Sequence, residues 1–235
     1  MPKYYPVMLD VRARPALVIG GDRIAAEKAA ALAASGAQVS VLSAEFGAEV
    51  LSLAERGQVV LRAKNYEPGD LAGAFVVVAA TTDPQLIEAI WQETQRSGQP
   101  VNIVDVPRYC TFILPSVLRR GKLTIAVSTE GASPSLAKRI RQQLEESFPL
   151  AYEDYIDLAA QARVHLRRQG IAYDTRDEFF RDFMASSVLD ALSAGEHERA
   201  LTITVELLRA YGVEVQLSEL DVAFVKEQAD AATQI

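Results

Sequence analysis

Apolar and polar positions follow two different rhythms along this chain. Up to residue 104, short apolar runs alternate with longer segments whose apolar positions recur three and four apart. Ala16–Ile19, Val39–Leu42, Val59–Ala63, Phe75–Ala80 and Val101–Val104 predict strands, while Ile24–Ala34, Glu45–Arg56 and Pro84–Ser97 predict helices. Gly36, Gly57 and Gly98 stand where each of those helices should stop. Phe75–Ala80 is apolar throughout, as in a strand covered on both faces of a parallel sheet. Strands separated by helices in this order imply right-handed crossovers and an α/β fold with a doubly wound parallel sheet.

After Asp105 the rhythm changes. Leu114–Arg120 predicts a short helix and Leu123–Ser128 a strand. Ser133-Pro134 is a helix start signal ahead of Leu136, Ile140 and Leu144, and Phe148-Pro149 ends that helix. From Ala151 onward strand signals almost vanish, and Tyr152–Arg168, Asp177–Ala194 and His197–Tyr211 carry helical patterns; the end, Ala229–Ile235, is expected to fray. The expected division is a nucleotide-binding domain over residues 1–115, a small α+β region over 116–149 and a helical module over 150–235.

Charge and composition narrow the partners. The 235 residues hold 24 Lys or Arg against 31 Asp or Glu, a net charge of −7, which argues against a general nucleic-acid binder. The single cysteine, Cys110, cannot form an internal disulfide, and no Cys/His cluster with metal-ligand spacing occurs, so a reducing cytoplasm and no metal site are expected. Charges at Asp10, Arg12 and Arg14 interrupt the N-terminal segment too early for a signal peptide, and no apolar run approaches the roughly 18 residues that span a bilayer, so no membrane partner is expected.

Leu17-Val18-Ile19-Gly20-Gly21-Asp22-Arg23-Ile24-Ala25 has the outline of a dinucleotide-binding turn, in which small residues bring backbone N–H groups and a helix N-terminus against a pyrophosphate. Read as Gly-x-Gly-x-x-Ala, its frame is Gly20, Asp22 and Ala25, with an acid in place of the middle glycine. Ser43 ends the second strand where an acidic residue usually holds the adenosine ribose, and Glu45 lies two positions on. No arginine follows to meet a 2′-phosphate, which favours NAD over NADP. Thr81 and Thr82 leave the fourth strand, and Asp105 follows the fifth, at the sheet edge where ligands of doubly wound folds lie. A carboxylate there can remove a proton while hydride leaves elsewhere; Asp105-x-Pro107 is equally an ordinary loop opener.

Between Ser116 and Gln142, the cations Arg119, Arg120, Lys122, Lys138, Arg139 and Arg141 face only Glu130, which inverts the overall sign and suits an anionic ligand or an acidic partner chain. Just ahead of the helix start, Ser128, Thr129, Gly131 and Ser133 belong to a hydroxyl- and glycine-rich loop that feeds a helix N-terminus with free N–H donors, suited to carboxylates. A solvated basic helix face accounts equally for Lys138 and Arg141.

The ordered segments resemble the precorrin-2 dehydrogenase family, the N-terminal part of siroheme synthase. The resemblance runs from Lys3 to Glu146 through Tyr5-Pro6-Val7-Met8-Leu9, Val18-Ile19-Gly20-Gly21 with Ala25 and Lys28, and Gly36-Ala37. It continues through Ala79-Ala80-Thr81, Asn102-Ile103-Val104-Asp105, Cys110-Thr111-Phe112-Ile113-Leu114-Pro115 and Ala126-Val127-Ser128-Thr129 to Gly131-Ala132-Ser133-Pro134. It implies a Rossmann-like fold, an intertwined homodimer, and NAD-dependent oxidation of precorrin-2 to sirohydrochlorin; some members also insert ferrous iron. It further implies that Asp105 is the catalytic carboxylate, that Arg23, Ile24, Ala44 and Glu45 stand at nucleotide-contact positions, and that Ser128 and Thr129 face the substrate. A macrocycle bearing acetates and propionates suits the basic stretch.

Two departures from the family pattern stand out. Asp22 replaces a glycine, and His165 and His197 are the only imidazoles, which makes a histidine-rich iron entry site improbable. The methyltransferase domain fused to some relatives is not expected within these 235 residues, and precorrin-2 is expected to be made elsewhere. Two alternatives remain open at this point: a tetrapyrrole-binding or chelating protein whose nucleotide site has decayed at Asp22, and a nucleotide-sensing module whose basic loop contacts another protein.

Overall fold

The order of strands across the main sheet is β3-β2-β1-β4-β5, all parallel, and it brings the first strand to the centre. In the computed structural model, which describes residues 3–220, these are β1 (Pro15–Ile19), β2 (Gln38–Ser43), β3 (Val59–Ala63), β4 (Val76–Ala79) and β5 (Val101–Ile103). Three helices connect them: α1 (Arg23–Ala34), α2 (Ala48–Glu55) and α3 (Pro84–Ser97). The chain reverses direction across the sheet between β1 and β4, and ligands of doubly wound folds lie at the carboxyl ends of strands at such a switch point. The α/β, Rossmann-like expectation is met.

Two-residue alternation sorts the strands onto two apolar layers. Ala16, Val18, Val39, Val41, Val76 and Val78 pack with α1 and α2, whose Ala25, Ala26 and Ala29 let the helix approach the sheet closely. Leu17, Ile19, Leu42, Val77 and Ala79 face the other way, onto Ile87 and Ile90 of α3. The ends of α3 are set chemically: Asp83 Oδ1 accepts from Gln85 N–H at 2.9 Å, Pro84 opens the first turn, and Gly98 closes the last at φ 72°.

The chain divides into two compact units, one running to Leu114 with Glu130–Ala132, the other comprising Pro115–Thr129 and the chain from Ser133 on. In the second unit, β6 (Ser116–Arg120) and β7 (Leu123–Val127) form an antiparallel hairpin paired from Ser116↔Val127 to Arg120↔Leu123. The helices are α4 (Pro134–Ser147), α5 (Tyr152–Arg168), α6 (Tyr173–Ala185), α7 (Val188–Ser193) and α8 (His197–Ala210). Their core holds Leu158, Leu166, Phe179, Phe183, Val188, Leu201, Val205 and Leu208, with the Tyr155 and Phe183 rings stacked at 4.9 Å. Phe183→Ala should lower the unfolding free energy by about 3–5 kcal/mol, read from urea unfolding of the chain, because the emptied volume is lined by rings that cannot close over it.

Three expected elements are corrected. Leu114–Arg120 is not a helix: Ser116–Arg120 is strand β6. The helix expected from Glu45 begins at Ala48, because Glu45-Phe46-Gly47 is drawn into a loop by the Gly47 N–H, which donates to the Gly21 carbonyl at 2.7 Å. The segment Asp177–Ala194 is broken into α6 and α7 at Ser186, whose Oγ donates to the Phe183 carbonyl at 2.7 Å and competes with the helical ladder. The expected fraying of Ala229–Ile235 lies outside the described residues.

Candidate functional site

The turn after β1 is closed by three neighbours. Gly20 has φ 127°, a region that favours glycine, and its N–H donates to the Leu42 carbonyl at 2.9 Å; a Cβ there would stand 2.5 Å from the Ala80 carbonyl oxygen. Gly21 is required for space rather than for its torsion. A Cβ at Gly21 would fall 1.9 Å from the Glu45 carbonyl oxygen and 2.8 Å from Ser43 Oγ. The absent side chains thus let the end of β2 close against the turn, and they bring Gly20, Gly21, Ser43, Ala44 and Glu45 together at the carboxyl edge. Gly47, which clamps this loop through Gly21, was not among the expected site residues; the Phe46-Gly47 pair ahead of α2 was its only signal.

Asp22 is the N-cap of α1. Its Oδ1 accepts from Ala25 N–H at 2.9 Å, and its carbonyl accepts from Ala26 N–H at 3.0 Å. The N–H groups of Arg23 and Ile24 are the ones left open at this helix start, and backbone donors at a helix N-terminus are the usual seat of a pyrophosphate. The cradle therefore fits a dinucleotide in its glycines and its two free donors, whereas its cap brings a carboxylate to the same helix end.

Thr81 and Thr82 follow β4, and Thr81 Oγ1 accepts from Asp83 N–H at 3.2 Å, which holds the turn into α3. Asp105 follows β5 in the same unit. It is exposed, has φ 60°, and makes no hydrogen bond or ion pair among the described residues. A left-handed aspartate with an unengaged carboxylate at this sheet edge has no structural duty among the described residues. Cys110 does have one: its Sγ accepts from Ile103 N–H at 3.2 Å and donates to a backbone carbonyl, and burial pushes the thiol above its ordinary value.

The remaining expected residues belong mainly to the second unit. Ser133 Oγ accepts from Leu136 N–H at 3.3 Å as the cap of α4, and Thr129 Oγ1 accepts from Ser133 N–H at 3.0 Å. Glu130 and Gly131, at φ 52° and 86°, curl the loop between them, and Ser128 is exposed. Among the cations, Arg120 is a structural residue: Nε donates to the Phe148 carbonyl at 2.8 Å and Nη1 to the Arg119 carbonyl at 2.9 Å. Lys122 pairs with Asp157 and Arg141 with Glu145, leaving Arg119, Lys138 and Arg139 exposed and unpaired among the described residues. No group of three or more His, Cys, Asp or Glu among those residues could hold a metal ion.

Residues 7–116 match the family described as NAD(P)-binding, and residues 120–147 match the one described as sirohaem biosynthesis protein central. The siroheme synthase of Nitrosococcus oceani is 32% identical over 198 residues, 84% of this chain and 42% of that protein. That of Nitrosomonas eutropha is 34% identical over 206 residues, 87% of this chain and 43% of the other. The solved structure of SirC, a precorrin-2 dehydrogenase, superposes with a TM-score of 0.71 at 27% identity, covering 89% of this chain and 99% of its own. The chain belongs to the precorrin-2 dehydrogenase and siroheme synthase family. It spans less than half the length of the two siroheme synthases. Within this family the NAD(P)-type nucleotide domain coincides with the sheet whose carboxyl edge carries the Gly20-Gly21 turn and Asp105. Among the described residues, no helix is long and apolar enough to cross a membrane.

Proposed function

We propose that this chain is a cytoplasmic, NAD-dependent precorrin-2 dehydrogenase that acts as a homodimer and binds neither nucleic acid nor membrane. The observation that carries this reading is the side-chain-free cradle at Gly20 and Gly21, built at the same sheet edge as the unengaged Asp105. NAD⁺, when bound, supplies a two-electron acceptor that takes hydride from the reduced macrocycle. Gly20, Gly21 and the open N–H groups of Arg23 and Ile24 hold the pyrophosphate; Ser43, Ala44 and Glu45 border the adenosine half, and Thr81 and Thr82 the nicotinamide side. The Asp105 carboxylate takes the accompanying proton, so that precorrin-2 and NAD⁺ give sirohydrochlorin, NADH and one proton. Asp22, as a cap, keeps α1 aimed at the cradle.

The macrocycle's carboxylates are recognised by Arg119, Lys138 and Arg139 and by the loop bearing Ser128, Thr129, Gly131 and Ser133, whose glycine and hydroxyl groups bring donors close to an anion. Arg120 supports that surface through the Phe148 carbonyl. Arg119→Ala should raise KM for precorrin-2 with stability unchanged within about 0.5 kcal/mol, as for exposed positions generally. Arg120→Ala should instead lower the unfolding free energy by about 1 kcal/mol, the cost of losing its bonds to two carbonyls. Steady-state kinetics beside thermal unfolding separates the two.

The direct test is anaerobic incubation with precorrin-2 and NAD⁺, followed by absorption spectroscopy for sirohydrochlorin and NADH and then repeated with ferrous iron. A second reading, a tetrapyrrole binder with a decayed nucleotide site, is favoured by one observation, the Asp22 carboxylate at the helix N-terminus. Calorimetric titration with NAD⁺ decides between them: no heat at millimolar cofactor, with sirohydrochlorin still bound, selects the binder.

A further inference from the structure

Asp22 brings a fixed anion to the helix end that an anionic ligand would approach. Its φ of −88° and ψ of −178° are extended backbone that any residue adopts, and asparagine or serine would accept the same Ala25 N–H bond, so neither torsion nor capping demands a charge. The cations that could offset it are mostly engaged. Lys28 pairs with Glu27 at 3.1 Å, and at the end of β3 Arg62 and Lys64 are held by Asp70 and Glu67. Arg23, exposed and beside Asp22, is the unpaired cation of the turn. Against it stand two further acids. Glu45 follows β2, with its carbonyl against Gly21; Glu49 Oε2 lies 3.5 Å from where a Gly47 Cβ would stand, and Gly47 is bonded to Gly21.

We propose that Asp22 is a specificity-determining residue: its carboxylate, together with Glu45 and Glu49, opposes pyridine nucleotides in proportion to their negative charge and so selects NAD⁺ against NADP⁺. The inference rests on the nucleotide-binding role proposed above. Like charges repel over a range set by the ionic atmosphere, about 10 Å at 0.1 M salt and about 3 Å at 1 M, so the discrimination is strong in dilute buffer and fades in brine. A steric obstacle would show no such fading. Because Asp22 also caps α1, the site keeps a rigid helix start while losing affinity for the more highly charged dinucleotide.

The experiment uses the full chain and two variants, Asp22→Asn and Asp22→Ser, both of which retain a cap acceptor. Binding of NAD⁺ and of NADP⁺ is measured by calorimetry at low and high salt, with thermal unfolding as the check on folding. In dilute buffer both variants should bind NAD⁺ roughly tenfold tighter than the unsubstituted protein and gain more for NADP⁺, and the differences should shrink as salt approaches about 1 M. Equal affinities in all three proteins, an unchanged preference between the nucleotides, or a difference that ignores salt would overturn the role of Asp22 while leaving nucleotide binding intact. Absence of binding by all three proteins at millimolar concentrations of either nucleotide would overturn both.

Discussion

Asp105→Asn should lower turnover of precorrin-2 by about 10²–10⁴-fold, the range that a positioned proton acceptor contributes, while leaving NAD⁺ affinity and the unfolding midpoint where they are. The substitution changes little else. Asparagine, like aspartate, tolerates the left-handed region, so the φ of 60° is preserved, and the carboxylate has no bond among the described residues to lose. Asp105→Gly sharpens the test, because glycine occupies that region without strain: the variant should match or exceed the stability of the parent by up to about 1 kcal/mol and still be inactive. Asp105→Ala should be inactive with stability within about 0.5 kcal/mol of the parent, since both residues carry the same Cβ strain and the carboxylate makes no bond to lose. Anaerobic assays beside urea unfolding would read the four proteins together. Turnover of the Asn or Gly variant at the parental rate would remove Asp105 from the chemistry.

How far such a residue can be found from sequence depends on how local its cause is. The strands and helices up to residue 104 are legible because apolar runs, an Ala-rich helix and glycine stops each act within a few residues, and β1 to β5 fall where those signals lie. β6 was not legible. Ser116-Val117-Leu118-Arg119-Arg120 has good helix formers and only Leu118 buried, and it becomes a strand because β7 pairs with it beyond the Gly121-Lys122 turn. The site divides in the same way. Gly20 and Gly21 are visible as a motif, but the reasons for them, the Ala80 and Glu45 carbonyls, arrive from strands distant in sequence. Arg120 has the composition of an anion ligand and the bonds of a structural residue, a distinction that the Phe148 and Arg119 carbonyls make. Asp22 is the converse case. Its position suggested an obstacle, and the Ala25 N–H gives it a structural duty that composition could not assign.

The distant contact at Gly21 sets the other large effect. Gly21→Ala should destabilise the chain by about 1–3 kcal/mol, because the new methyl meets a backbone carbonyl and not a flexible side chain, so the Ser43–Gly47 loop must move as a whole. That loop is also the one proposed to border the adenosine half of the cradle. Shifting it by about an ångström should cost about 10²-fold in kcat/KM with NAD⁺, which is the usual penalty for such a displacement. Gly57→Ala is the fitting comparison. Gly57 has φ 68° with nothing within 4 Å of a Cβ, so alanine there carries torsional strain without collision. It should lose about 1 kcal/mol of stability and leave kcat/KM unchanged. If the two alanine variants lost activity in equal proportion, the loss would follow stability and the cradle would have no special role. A hundredfold drop confined to the Gly21 variant, measured well below both unfolding midpoints, would trace it to the space between Gly21 and the Glu45 carbonyl, through which the sheet edge is shaped for a dinucleotide.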